Sequence, residues 1–111
     1  MMAKEHLYKH LKLEGTREAL VVVFISPQIF AADEIQGIGR EILLAADVAA
    51  RIDMPLIVSF QGVESISSAL IGKLMLLHKK ARSHGIKLRF SHMSSLVEEV
   101  FRRTIGDDKT L

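Results

Sequence analysis

Two short apolar runs separated by a helix-like segment constrain the fold of this chain most. Residues 19–25 are nearly all apolar and rich in β-branched side chains, and residues 56–60 are similar. Both runs are typical of strands inside a sheet, and we expect 19–25 to be covered on both faces. Between them, apolar residues recur with helical spacing from residue 32 or 33 to about residue 52. A helix between neighbouring parallel strands is a crossover, so an α/β layered fold is predicted.

The region before the first helix predicts a hairpin. Residues 7–13 alternate between apolar and polar side chains, as a half-buried strand does, and 14–18 form a turn to the next strand. In the first helix, Gly37 and Gly39 weaken the opening turns, so an irregular start is expected. The apolar residues expected on its buried face are Ile35, Ile38, Ile42, Ala45, Ala46 and Ala49.

The second half of the chain predicts a helix, a strand and a final helix. Residues 68–84 have helical periodicity, and Gly85 is suited to end that helix. A strand follows at 86–90. Ser95-Leu96-Val97-Glu98 has the pattern of a capping box and predicts a helix over about 95–104, with Glu98 as part of the cap. The predicted order is ββαβαβα, with a mixed four-stranded sheet packed by helices.

Composition narrows the class of protein. The 111 residues, 49% of them hydrophobic, predict one domain over 1–111, with frayed ends at about 1–5 and 106–111. No apolar run is long enough for a membrane helix, and no cysteine is present, so a cytoplasmic protein without membrane insertion is expected. A net charge of +2 and an absence of tryptophan argue against a nucleic-acid partner.

Catalytic and metal-binding patterns are missing from the sequence. The five histidines have no metal-ligand spacing, and we expect all of them to be ordinary surface or rim residues, with His6 and His10 on the same side of the first strand. No phosphate-binding glycine loop or nucleophile elbow is present. We therefore expect no enzyme activity, no cofactor and no metal site.

Ser67 and Ser68 are the candidate functional residues. They stand between a predicted strand and a predicted helix, where unpaired N–H groups and the helix dipole favour an anion. Either serine is suited to cap the helix through its hydroxyl. A phosphate added there changes local charge and bulk and need not unfold the domain. The residues alone leave both roles open, and the two are compatible.

The helix over 68–84 is expected to bury one face, and its other face is either simply solvated or in contact with a partner. Its buried stripe is predicted to contain Leu70, Leu74, Leu77 and Ala81, with Ile71 and His78 at the edge. On the opposite face, Leu76 lies among lysines that include Lys73 and Lys80. Next to the serine pair, these three residues are candidates for contact with a protein partner that has an acidic rim.

The region 55–101 resembles a STAS domain, the fold of bacterial anti-sigma factor antagonists. The resemblance is carried by the turn Gly62-Val63-Glu64, the helix start Ile66-Ser67-Ser68-Ala69-Leu70-Ile71-Gly72, and the strand at 87–90 that leads to Ser94-Ser95-Leu96-Val97-Glu98-Glu99-Val100-Phe101. In this family the helix start typically reads Asp-Ser-Ser-Gly-Leu-Gly. Ser67 stands in the place of the Asp, Ser68 in that of the phosphorylated serine, and Leu70 in that of the first glycine.

The resemblance implies regulation by partner switching. An unphosphorylated domain would bind a serine kinase that is also an anti-sigma factor, and phosphorylation would release that partner and so regulate transcription. It implies Ser68 as the phosphoacceptor, Ser67 as the second candidate, and a phosphatase that acts on Ser68. Ser67, Lys73, Leu76 and Lys80 would then form the partner-binding surface.

Two other functions remain open. The substituted Asp and glycine at the helix start favour a STAS-like scaffold that is not phosphorylated and assembles with copies of itself. Leu44 and Val48 fall outside the buried face of their helix, and we expect them to contact another subunit or to be covered by residues 26–33. The third candidate function is a small-ligand or nucleotide binder that uses the helix start as an anion site.

Overall fold

Strands and helices alternate in the predicted order in this computed structural model, which describes residues 8–105. The elements are β1 (Leu11–Gly15), β2 (Leu20–Phe24), β3 (Gln28–Ile29), α1 (Ala32–Ile52), β4 (Leu56–Ser59), β5 (Ser65–Ile66), α2 (Ser68–Ser83), β6 (Leu88–Ser91) and α3 (Ser95–Ile105). The ββαβαβα order of the main elements is confirmed, whereas the short strands β3 and β5 were not predicted. The frayed ends expected at 1–5 and 106–111 lie outside the described residues.

The four main strands form one mixed sheet in the order β1-β2-β4-β6. β1 and β2 pair in an antiparallel hairpin, while β2, β4 and β6 run parallel to one another. In this register, Val22 of β2 lies opposite Val58 of β4, which in turn lies opposite Phe90 of β6. The predicted α/β architecture with parallel crossovers is therefore confirmed.

The helices share a single core with one face of the sheet. Leu20, Val22 and Phe24 are buried in the cluster that also contains the buried residues of all three helices, whereas Val21 and Val23 on the other face are only half-buried. The expectation that this strand is covered on both faces was therefore wrong. Both crossovers move in the same direction along the sheet, and right-handed crossovers of that kind place their helices on the same face.

Helix α1 starts regularly at Ala32, contrary to the expected irregular start. Its six predicted core residues are all buried. Gly37 and Gly39 lie on the buried side, where other chain segments approach the helix closely. The imidazole of His10 occupies the position that a Cβ at Gly37 would need, and a Cβ at Gly39 would lie 2.8 Å from Cδ of Lys73. The glycines thus permit close packing rather than disturb the helix.

A buried carboxylate on α1 determines where β1 begins. The Glu41 side chain, only 7% exposed, accepts hydrogen bonds from the backbone N–H groups of Lys9 (3.0 Å) and His10 (2.9 Å). His10 Nδ1 lies 2.9 Å from the same carboxylate. The predicted strand over 7–13 is therefore shifted to Leu11–Gly15, so His10 precedes the strand, although at 28% side-chain exposure it is a rim residue as expected. His6 lies outside the described residues.

Of the two predicted helix caps, the one at the start of α3 differs from the prediction and the one after α2 agrees with it. Ser94, not Ser95, caps α3, because its Oγ accepts from the N–H of Val97 at 3.2 Å. The capping role predicted for Glu98 was therefore wrong, although the helix does begin at Ser95. At the end of α2, Gly85 adopts a left-handed φ of 70°, as expected of a residue that terminates a helix. The N–H of Ile86 bonds to the carbonyl of Ala81, so β6 starts only at Leu88.

We predict opposite effects of alanine at two helical glycines. Gly37→Ala should lower the free energy of unfolding by about 1 to 3 kcal/mol, because the new methyl group displaces His10 from Glu41. Gly72→Ala in α2 should raise it by about 0.5 to 1 kcal/mol, since the space around Gly72 is open and alanine favours a helix. Urea denaturation measures both values. Stabilisation by Gly37→Ala would contradict the packing described for His10.

Candidate functional site

The candidate site lies at the edge of the sheet where the parallel strands end. β2 leads into β3 and β4 leads into β5, and these two short strands pair in parallel, with Gln28 opposite Ser65 and Ile29 opposite Ile66. The N–H of Ser67 then donates to the carbonyl of Ile29 at 2.9 Å. This pairing places Phe30, which follows β3, next to the start of α2, which follows β5.

Ser67 is the N-cap of α2. Its backbone is extended, and its Oγ accepts a hydrogen bond from the N–H of Ala69 at 3.0 Å. The carbonyl of Ser67 accepts the N–H of Leu70, also at 3.0 Å. Of the two serines proposed as caps from the sequence, the structure therefore identifies Ser67.

Ser68 is the first residue of α2, and its side chain is exposed. Within residues 8–105, its hydroxyl makes no hydrogen bond to another residue, because the capping interaction is made by its neighbour. The adjacent N–H groups of the first helical turn and the positive end of the helix dipole favour negative charge at this position. The geometry thus leaves Ser68 accessible to an enzyme that modifies hydroxyl groups.

The predicted buried stripe of α2 is confirmed. Leu70, Leu74, Leu77 and Ala81 are all buried. Ile71, expected at the edge of the stripe, is completely buried as well. This packing fixes the orientation of α2 and directs Gly72 and Leu76 away from the core.

Two of the lysines predicted on the partner-binding face contact α1 instead of standing free. Lys80 Nζ lies 3.0 Å from Oδ1 of Asp47 and forms an ion pair with it. Lys73 Nζ donates to Oε1 of Gln36 at 3.2 Å, and its methylene groups lie against Gly39. Both side chains therefore help to hold α2 against α1. The Gln36 amide is neutral, so the positive charge of Lys73 remains available at the edge of the predicted partner-binding face.

Phe30 and Leu76 are the exposed apolar residues beside Lys73, at 54% and 51% exposure. They line a shallow depression of about 580 Å³, here called the α1–α2 groove, together with Ala32, Ile35, Gln36, Ala69, Gly72 and Lys73. Leu76 was predicted from the sequence. Phe30 was not, although it is the aromatic residue in the loop-like stretch 26–33, because only the pairing of β3 with β5 brings it to α2.

A second depression lies on the other side of Phe30. This α2–α3 groove, of about 560 Å³, is lined by Phe30, Ile66, Ser67, Ser68, Val100, Arg103 and Thr104. Arg103 is the charged residue among these, and no acidic side chain of the described chain lines either groove. Ser68 therefore shares this groove with the exposed side chain of Phe30 and with a guanidinium group.

Leu44 and Val48 lie far along α1 in a third, largely apolar groove against the β1–β2 hairpin. The groove has a volume of about 760 Å³ and is also lined by Tyr8, Leu11, Lys12, Leu13, Leu20, Ile25, Asp47 and Arg51. Residues 26–33, which were expected to cover Leu44 and Val48 if another subunit did not, do not line this groove, and Gln28 and Ile29 pair with β5 instead. Burial raises the pKa of the Tyr8 phenol, and the nearby Glu41 carboxylate acts in the same direction.

Comparison with known proteins identifies no family. No protein-family model matches the chain, and no curated protein matches it. Among residues 8–105, no group of three or more potential metal ligands comes together, and no described helix is long and apolar enough to span a bilayer. The case for a function therefore depends on the fold and on the surroundings of Ser68.

The two serines should respond differently to removal of the hydroxyl group. Ser67→Ala should lower the free energy of unfolding by about 1 kcal/mol, because the N–H of Ala69 loses its acceptor. Ser68→Ala should change it by no more than about 0.5 kcal/mol, as is usual for an exposed residue without contacts. Thermal and urea denaturation of the two variants measure this difference. Equal losses would show that Ser68 also supports the helix.

Proposed function

We propose that this chain is a STAS-like regulatory domain that binds a protein partner and releases it when Ser68 is phosphorylated. One observation carries the proposal: the exposed Ser68 lies at the start of α2 in the α2–α3 groove, which shares Phe30 with the α1–α2 groove. The ββαβαβα order and the mixed sheet agree with what the sequence resemblance implies. In this proposal the partner is a serine kinase that acts as an anti-sigma factor in the cytoplasm.

The partner-binding surface would consist of the α1–α2 groove and its rim. Phe30 and Leu76 supply apolar area that the fold leaves half exposed, and Lys73 supplies positive charge beside them. Exposed aromatic and apolar side chains are typical of the centre of a protein interface, and charged groups are typical of its rim. This surface suits a partner that inserts an apolar side chain and surrounds it with carboxylates. Lys80 contributes less than the sequence suggested, because Asp47 already neutralises it.

Phosphorylation at Ser68 would change this surface directly. The Ser68 oxygen would attack the γ-phosphorus of a nucleoside triphosphate held by the kinase, forming a new O–P bond and releasing nucleoside diphosphate and a proton. The product carries a charge of about −1.5 to −2 next to Phe30. It repels the acidic rim of the partner and adds bulk at the interface. A phosphatase that hydrolyses the phosphoserine would restore binding.

Phosphosite mapping tests the acceptor. Incubation with ATP and the serine kinase encoded nearest to this chain should place one phosphate on Ser68, detected by mass spectrometry of the digested protein. Ser68→Ala should abolish the modification, whereas Ser67→Ala should retain it. Phosphate on another residue, or none with an active kinase, would contradict the proposal.

Binding of the same kinase tests the surface. Phe30→Ala and Leu76→Ala should each weaken binding about tenfold or more, measured by calorimetry, because each removes apolar area at the centre of the interface. Leu96→Ala is the matched control, since Leu96 is 60% exposed but lines neither groove.

A charge introduced at Ser68 completes this test. Ser68→Asp should abolish binding, while Ser95→Asp at the equivalent first position of α3 should not. Both variants place a carboxylate at a helix N-terminus, where it is tolerated, so folding is preserved in each. Unchanged affinity of folded Ser68→Asp protein would rule out the switch.

Self-assembly is the second candidate function, and one observation favours it. The groove along the hairpin leaves Ile25 56% exposed beside the half-buried Leu44 and Val48. A homodimer through this groove is compatible with partner binding at Ser68, because Ser68 is not in its lining.

A further inference from the structure

Arg103 lies in the last turn of α3 and lines the same groove as Ser68. It is exposed, and within residues 8–105 no carboxylate forms a salt bridge with it. Its neighbour Arg102 is also exposed but does not line the groove. The fold therefore brings one cation of the Arg102–Arg103 pair to the candidate phosphoacceptor and leaves the other outside.

We propose that Arg103 receives the phosphoryl group of Ser68 within the same molecule, so that phosphorylation joins the end of α3 to the start of α2. This inference rests on the proposed function, in which Ser68 is the modified residue. Phosphorylation would then form a new contact within the domain as well as release the partner. The phosphate would be held over the α2–α3 groove and would change the surface of both helices.

Two features of the fold favour a phosphate at this position. The N-terminal end of α2 attracts it, because the N–H groups of the first turn are directed toward it. The Arg103 guanidinium, which lines the same groove from α3, supplies positive charge on the other side. A guanidinium also suits phosphate oxygens through two parallel N–H bonds, which a point charge cannot provide.

Residues next to Arg103 make the groove suitable for a bound phosphoryl group. Thr104 adds a hydroxyl to the lining, whereas Val100, Ile66 and Phe30 give it an apolar floor and wall. Apolar walls lower the local dielectric and strengthen an ion pair compared with one in open solvent. The groove offers the phosphate one cation and no described carboxylate.

The test uses the full chain with phosphoserine incorporated at position 68 during translation, so that no kinase is needed. The second pKa of the phosphate, followed by 31P nuclear magnetic resonance, should be lower in otherwise wild-type protein than in Arg103→Gln by about 0.5 or more. Phosphoserine should also raise Tm in otherwise wild-type protein by about 2 to 6 °C more than it does in Arg103→Gln, when each protein is compared with its own unphosphorylated form. Arg102→Gln should behave as wild type in both measurements.

Three outcomes would overturn the inference. One is a phosphate pKa that is the same with and without Arg103, and another is an equal effect of Arg102→Gln and Arg103→Gln. The third is loss of folding when phosphoserine is introduced into otherwise wild-type protein. Because the phosphate is installed without a partner, these results are independent of kinase binding. A failed phosphosite assay with a positive result here would refute the partner switch alone.

Discussion

The parallel pairing of β4 with both β2 and β6 is the constraint on which the rest of the structure depends. Parallel strands all end at the same edge of the sheet, and each must be followed by a connection that returns to the opposite edge. In this chain those connections are α1 and α2, and both pack against one face. The segments that leave β2 and β4 consequently meet at one edge. Their pairing as β3 and β5 is what creates the candidate site.

Neighbouring residues at this site have separate roles. Ser67 is committed to the helix cap and to the hydrogen bond with Ile29, so it belongs to the scaffold. Ser68, one residue later, is exposed and unengaged within the described part of the chain. The same separation holds among the cations, because Lys80 pairs with Asp47 while Arg103 faces the groove. A residue held by the scaffold keeps the geometry constant, which allows its neighbour to be modified without loss of the fold.

Much of the architecture was predictable because it depends on local patterns. The periodic apolar residues of α1 and α2, and the β-branched runs of β2 and β4, were sufficient to predict the main elements, their order and the buried faces of both helices. The predictions failed where a distant residue decides local structure. The start of β1 depends on Glu41, some thirty residues away along the chain. The glycines of α1 looked disruptive because nothing local shows that His10 and Lys73 pack against them.

The sequence by itself determined the α/β class, the order of the main elements and the pair of serines at a helix start. These follow from side-chain periodicity and from the chemistry of helix termini, which act over a few residues. Only the tertiary structure decided which serine is the cap, which lysines are neutralised and that Phe30 and Arg103 flank Ser68. Such relations join residues from separate elements through the pairing of β3 with β5 and the packing of α2 against α3. Because strand pairing and helix packing bring together residues that are remote along the chain, no local pattern in the sequence records them.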